Sequence, residues 1–583
     1  MCADWKQGSR ATRSWAARVP PARAFGAGVP RGTPCAPRPR LPPRHYCARC
    51  ATTAQPASTG LRWTPAAGRV ARRVARRVAR ASPAAQLCAR ASSAPAFARI
   101  DASTQATLRR LLAAYRTHRV GAHHFAGVEG YGHGDLGREV IDAVFASLFD
   151  CEQALVRPQF VSGTHAIAAA LFGVLRPGDE LLSVTGRPYD TLEEVIGLRR
   201  AHHQRAADTG SLRDFGISYR ELDLSPLGLV QFDAIQAALR PQTRMVLVQR
   251  SCGYALRPSL AMHDIARIVQ LVKHIRPDIV LFVDNCYGEL VLDIEPTHPS
   301  VGADIVAGSL IKNCGGTIMP TGGYVAGKAR YVKLAQNRMA APGVEGAASM
   351  NLNKALLQGL FLSPQMVGEA LKGALLVAQV MSDLGFHVSP AADAARSDII
   401  QAVRLGERDK LIAFCRAVQR QSPVGAYILP EPGQTPGYGD EVIFADGTFV
   451  DGSTLELSAD GPLREPYVVY AQGGTHWTHW ALVLEDALQE MGLAYSPPCR
   501  SRAALAAQAS SMGPSDSQSK RKCMCATVHI RSEHIRPTLR LLIDTRPARM
   551  HWSIEHAPRA QALANLTCVP RVGHSLQRLP CVE

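Results

Sequence analysis

The sequence predicts an α/β protein built on a parallel sheet that is covered on both faces. Short apolar runs of strand length recur along it: ELLSVT (Glu180–Thr185), MVLVQ (Met245–Gln249), IVLFVD (Ile279–Asp284), DIVAGS (Asp304–Ser309) and GGYVAG (Gly322–Gly327). These runs are nearly continuous in apolar residues, as strands buried on two sides must be. Helical patterns separate several of them. Ser259–Ile275 steps its apolar residues by three and four, with Ser259 placed as an N-cap. After about residue 350 the rhythm changes. A long helical stretch, Asn351–Phe386, precedes the shorter strand-like pieces DIIQAVRL, AYILP, EVIFADGTFV and TLELSA. That order predicts a large parallel-sheet domain over residues 101–350 and a small α+β domain over 351–496.

The two ends of the chain read differently. Residues 1–100 hold eighteen Arg and one Lys against the single acid Asp4, which is the whole of the net +18. The rest balances at 47 bases and 47 acids, so a nucleic-acid role is not expected. The leader repeats Val-Ala-Arg-Arg and is almost free of acids. This composition predicts a disordered organellar transit peptide, to plastid before mitochondrion or cytoplasm. Residues 497–583 lose all periodicity and are expected to be irregular or disordered. No run of about 18 apolar residues occurs, so no membrane span is expected. The fifteen cysteines show no paired spacing in the body, which predicts reduced thiols. The CARC pair, Cys47 and Cys50, lacks a second pair nearby, and no metal site is expected. The tail's NLT (Asn565–Thr567) matches a glycosylation acceptor, with no other sign of secretion.

In a parallel α/β sheet, ligands collect outside the carboxyl ends of the strands. Four stretches place polar groups there. Ser162, Gly163 and Thr164 turn into a small-residue helix, and a helix start with free N–H groups and hydroxyls suits a phosphate. Tyr189 follows the strand ELLSVT as a plate for a planar ligand. Asp284 ends a five-residue apolar run, where a carboxylate needs a cation, a metal or a protonated ring nitrogen beside it. Ser309 and Lys312 stand at the end of DIVAGS. A desolvated lysine has a lowered pKa and can attack a carbonyl. Together these groups are what a planar pyridinium aldehyde with a phosphate handle requires.

The stretches FVSGTHAIAAALFGVLRPGDELLSVTGRPYDTLEEVIG, SLRDFGISY, VDNCYGE, SLIKNCGG, PTGGYVAG and LSADGPLREPYVVYAQGG resemble the aluminium-resistance, methionine gamma-lyase-like family of pyridoxal-phosphate enzymes. The resemblance runs from about His123 to Tyr495. It implies the fold-type-I, aminotransferase-like architecture and dimers, paired into tetramers, that share their active sites. By resemblance, Lys312 is the Schiff-base lysine and Asp284 faces the pyridine nitrogen. Ser162, Gly163, Thr164 and Ser309 hold the phosphate, and Tyr189 stacks on the ring. Tyr131 and Arg138 reach the neighbouring subunit's phosphate. Arg464 is the choice for the carboxylate of an amino-acid substrate, with Arg250 second. The related lyases carry threonine directly before the lysine, where this chain has Ile311. The implied activity is β- or γ-elimination from a sulfur amino acid such as cystathionine, methionine or cysteine. The same lysine and aspartate would also serve a transaminase or racemase, and the family's name leaves a non-catalytic part in metal tolerance open.

Overall fold

The computed structural model describes residues 95–199, 209–344 and 348–493. The Arg-rich repeat and CARC pair of the leader, and the tail with its NLT, lie outside these residues. One edge of the leader is corrected. Helix α1 (Pro95–Thr117) begins ahead of residue 101 and buries Phe97.

Seven strands form a large sheet: β1 (Gln153–Arg157), β2 (Glu180–Ser183), β3 (Ser218–Glu221), β4 (Thr243–Gln249), β5 (Val280–Asp284), β6 (Ile305–Ser309) and β7 (Gly323–Gly327). Their spatial order is β1-β7-β6-β5-β4-β2-β3. Strands β2 to β6 pair in parallel. The expected parallel sheet is present in β2 to β6; at one edge GGYVAG departs from it, because β7 runs antiparallel to both β6 and β1. A parallel return needs a long crossover, usually helical. Residues 310–322 carry only the short 3-10 turn Asn313–Gly315, so the chain comes straight back.

The strands alternate between two cores. Val246, Val248, Leu281 and Val283 face one, while Met245, Leu247, Val280 and Phe282 face the other. Helices cover both faces: α2 (Leu136–Leu148), α3 (Gly163–Val174), α4 (Asp190–Ile196), α5 (Phe232–Ala238), α6 (Met262–Ile275) and α7 (Ala329–Met339). Two local expectations are corrected. The cap of α6 is Ala261 rather than Ser259, because the N–H of Leu260 is held by the Arg250 carbonyl at 2.9 Å and keeps that stretch out of the helix. The apolar residues Phe160 and Val161 ahead of the Ser162 turn, read from the sequence as the end of a strand, form none. β1 stops at Arg157, and Val161 is 77% exposed.

A second sheet follows: β8 (His387–Ser389), β9 (Gln401–Arg404), β10 (Val442–Ala445), β11 (Leu457–Pro462) and β12 (Val468–Gly473), ordered β10-β11-β12-β9-β8. It is antiparallel throughout. Helices α9 (Arg408–Arg420) and α10 (Thr478–Glu490) pack on it. The expected strand AYILP does not form, and its Tyr427 and Leu429 are exposed.

Helix α8 (Asn353–Asp383) joins the two sheets. Its first half sends Leu356, Leu357, Leu360 and Val367 into the first core. Its second half sends Leu375, Val377 and Val380 into the core of the small sheet. By length and composition α8 would cross a membrane, but 72% of its apolar window is buried within the fold.

The loop after β6 lies against α8, backbone on backbone. A Cβ on Gly315 would drive into the Leu310 carbonyl, and one on Gly316 into the Gly359 carbonyl of α8. Gly316 also has φ +54°, which favours glycine. Gly315→Ala is expected to destabilise the protein by roughly 1–3 kcal/mol or more through overpacking. Urea unfolding measures it, and a midpoint equal to that of the unaltered protein contradicts the account.

Candidate active site

One cavity of about 230 Å³ opens between the two sheets. Its floor is the row of carboxyl ends of β4, β5 and β6, which contribute Gln249, Asp284 and Ser309. The loop after β6 adds Ile311 and Lys312, and the start of α3 adds Ser162, Gly163 and Thr164. The structure therefore gathers Lys312, Asp284, Ser162, Gly163, Thr164, Ser309 and Tyr189 around a single space.

Each is held by local structure. Ser162 is the N-cap of α3, and its Oγ accepts from the His165 N–H at 3.1 Å. The N–H groups of Gly163 and Thr164 lie in the first turn and have no intrahelical acceptor. Gly163 keeps the helix start close to β6, since a Cβ there would sit 3.0 Å from the Ser309 Cβ. Ser309 Oγ accepts from the Ile311 N–H at 3.3 Å. The Thr164 and Thr191 hydroxyls share a hydrogen bond of 2.8 Å. Tyr189 donates its N–H to Gln249 Oε1 at 2.7 Å, and its hydroxyl pairs with Tyr438 at 2.9 Å. Gly253, at φ +58°, brings the chain within close contact of the Tyr189 ring.

Asp284 accepts from the Cys286 N–H at 3.1 Å. Burial pushes its carboxyl up, opposed by that N–H and by Lys312. Lys312 Nζ stands 3.8 Å over the ring of Tyr287. Burial works against the ammonium, but Tyr287, Cys286 and Asp284 together outweigh it, and the amine is held above the ordinary lysine value. The expected lowering of the lysine is thus corrected: burial acts as anticipated, and the polar groups packed around the amine reverse its effect.

Four expected residues lie outside this cavity. Arg250 is wholly buried, donating to Asn285 Oδ1 at 2.7 Å and pairing with Glu295 at 3.4 Å. It is corrected from a substrate group to part of the packing behind the strand ends. Arg464 lines a neighbouring cleft that shares Tyr189 and Gln249 with the cavity, and it is paired to Asp440 at 2.6 Å. Tyr131 is 72% exposed, with its ring stacked on His133 at 5.8 Å. Arg138 lies in the first turn of α2 beside Gly132. Neither Tyr131 nor Arg138 lines the cavity.

Sequence reasoning missed Tyr287, Tyr438 and Asp460, which all line it. Tyr287 has φ +70°, uncommon for a bulky residue and a sign of local strain beneath the lysine. Asp460 had a readable signal. In LELSAD the apolar Leu455, Leu457 and Ala459 alternate with Glu456, Ser458 and Asp460.

The donor set fits pyridoxal phosphate. A helix start with two free N–H groups meets an anion, a strand-end carboxylate meets a ring cation, and a lysine meets an aldehyde. The profile of the methionine gamma-lyase family matches residues 84–492. The chain belongs to the methionine gamma-lyase family. It is a pyridoxal-phosphate-dependent lyase of the fold-type-I, α/β class. The uncharacterized protein YnbB of Bacillus subtilis is 49% identical over 372 residues, 64% of this chain and 87% of that protein. The carbon-sulfur lyase involved in aluminum resistance from Clostridium novyi NT shares 43% identity and a TM-score of 0.66, covering 70% of this chain and 96% of its own. The L-methionine gamma-lyase of Pseudomonas deceptionensis is 28% identical over 216 residues, 36% of this chain and 47% of that protein.

A further buried acid underlies this family member's lysine loop. Glu289 Oε1 accepts from the Tyr324 hydroxyl at 2.9 Å, while Oε2 has no partner. Burial pushes its carboxyl from 4.5 up to about 8. The folded protein therefore holds a proton that the unfolded chain releases. Stability from this group is full below about pH 4.5 and is lost as pH rises through about 8. Thermal melts of the protein and of Glu289→Gln should diverge over this window, with the variant's curve flatter. Parallel curves contradict the assignment.

Proposed function

We propose that this lyase cleaves a carbon–sulfur bond of a sulfur amino acid by β- or γ-elimination, releasing a thiol, a keto acid and ammonia. One observation carries the reading: Lys312 and Asp284 face one cavity with the start of α3, in a chain of the methionine gamma-lyase family. When bound, pyridoxal phosphate supplies the electron sink for the elimination.

The chain's own residues do the rest. The N–H groups of Gly163 and Thr164, the positive end of α3 and the hydroxyls of Ser162 and Ser309 hold the phosphate. Asp284 would pair with the ring nitrogen and favour its protonated form, and Tyr189 would stack on the ring. Lys312 would hold the cofactor's aldehyde, and its amine is placed to move the α-proton of the substrate. Arg464, across Tyr189 in the adjoining cleft, receives the substrate carboxylate. Tyr131 and Arg138 are offered to the phosphate of a neighbouring subunit.

Incubation of the purified protein with cystathionine, methionine and cysteine should yield keto acid from at least one. Lys312→Ala should lower that rate by at least about 10³-fold, and borohydride should fix the cofactor to Lys312 in the unaltered protein. Keto acid from none of the three, or full activity in the variant, overturns the reading.

The leader is proposed as a plastid-targeting segment on its length, its Ser-, Ala- and Arg-rich, nearly acid-free composition, and a body that resembles bacterial proteins. All of the net +18 lies in residues 1–100. A fluorescent fusion of those residues should localise to plastids in plant cells. Diffuse cytosolic signal would contradict this.

A further inference from the structure

The wall of the cavity opposite the cofactor residues comes from the small sheet. Phe444, Asp460 and Tyr470 are register partners across β10, β11 and β12. Leu457 and Ala459 point into the core of that sheet, so Ser458 and Asp460 point the other way, into the cavity. Asp460 Oδ2 accepts from Gln472 Nε2 at 3.0 Å, while Oδ1 and the neighbouring buried Tyr254 hydroxyl make no hydrogen bond of ordinary geometry. Two nearby hydroxyls lining the same wall are also unpartnered: Ser458 Oγ, on a residue 4% exposed, and Thr454 Oγ1, on one 7% exposed. Asp446 adds a second carboxyl. Among the described residues lining the cavity, Lys312 is the sole cation and no arginine is present.

A purely apolar side chain entering here would leave these buried polar atoms unsatisfied, at about 1–3 kcal/mol each. An ammonium supplies three donors, and a donor with a charge makes the stronger bond to a carboxylate. We propose that Asp460 is the specificity-determining residue for the leaving half of the substrate, and that it recognises an ammonium carried there. This rests on the carbon–sulfur lyase reading and narrows it to thioether amino acids with a cationic leaving half. Burial pushes the Asp460 carboxyl up to about 7, with Tyr254 and Lys312 among the groups opposing the rise. A bound ammonium favours its ionised form in the same way.

Two ligands isolate the charge. S-(2-aminoethyl)-L-cysteine and S-propyl-L-cysteine differ by an ammonium in place of a methyl group. The cofactor-loaded enzyme should favour the first by at least about tenfold, both in kcat/KM and in the dissociation constant measured by calorimetry. In Asp460→Asn, which keeps an acceptor for Gln472, the ratio between the two should fall to about one. A role confined to supporting the fold would weaken both ligands alike and leave the ratio in place, overturning the proposal. Equal affinity in the unaltered enzyme overturns it without the variant. If neither compound yields keto acid but the affinity ratio is present and Asp460→Asn abolishes it, the lyase reading fails and the recognition by Asp460 stands.

Discussion

Everything at the site depends on how closely the backbone after β6 approaches α8. Gly315 and Gly316 meet Gly359 with no side chain between them. That contact seats the lysine loop on a helix that belongs to both cores. Another glycine, Gly308 in β6, serves the other side of the strand. A Cβ there would lie 2.6 Å from the Tyr324 hydroxyl, in the space taken by its bond to Glu289. Lys312 is thus fixed from above by α8 and from below by a buried polar pair. A long, flexible side chain gains a defined position because its backbone has none of the usual freedom.

The strand-end groups were legible because they break an apolar run. Asp284 after Val280–Val283, Ser309 after Ile305–Gly308 and the Ser-Gly-Thr turn each place polarity where burial would otherwise be continuous. In a parallel sheet such breaks fall on one side, so separate stretches point to one site. Arg250 shows the limit of that reasoning. It too follows an apolar strand, but its partner is Glu295, forty-five residues on. Nothing local distinguishes an arginine aimed at a ligand from one matched to a distant buried acid.

The cavity's opposite wall was illegible for a different reason. LELSAD reads as a strand with two unlike faces, but which face meets the active site depends on how the small sheet docks on the large one. That docking is set by α8, through residues buried along its whole length, and by α1, which puts Phe97 in one core and Leu111 in the other. Tyr287 escaped notice because its role rests on φ +70°, a backbone state that no sequence pattern around a tyrosine announces. The antiparallel direction of β7 follows from the short loop before it, which has no room for a crossover helix, and an apolar run such as GGYVAG carries no sign of direction by itself.

By the resemblance, the related lyases carry a hydroxyl where this chain has Ile311, and the geometry here offers other donors to an anion at the start of α3. The Ile311 N–H donates to Ser309 Oγ. That bond occupies one lone pair and leaves the serine proton free to donate outward. With the N–H groups of Gly163 and Thr164, the site still offers three donors to an anion at the positive end of α3. The isoleucine side chain meanwhile lines the cavity and reaches toward Gly452, where a Cβ would meet its Cδ1 at 3.5 Å. It therefore exchanges a phosphate contact for an apolar one against the loop before β11, on the side where Asp460 stands. The departure from the related lyases and the carboxylate wall belong to the same surface.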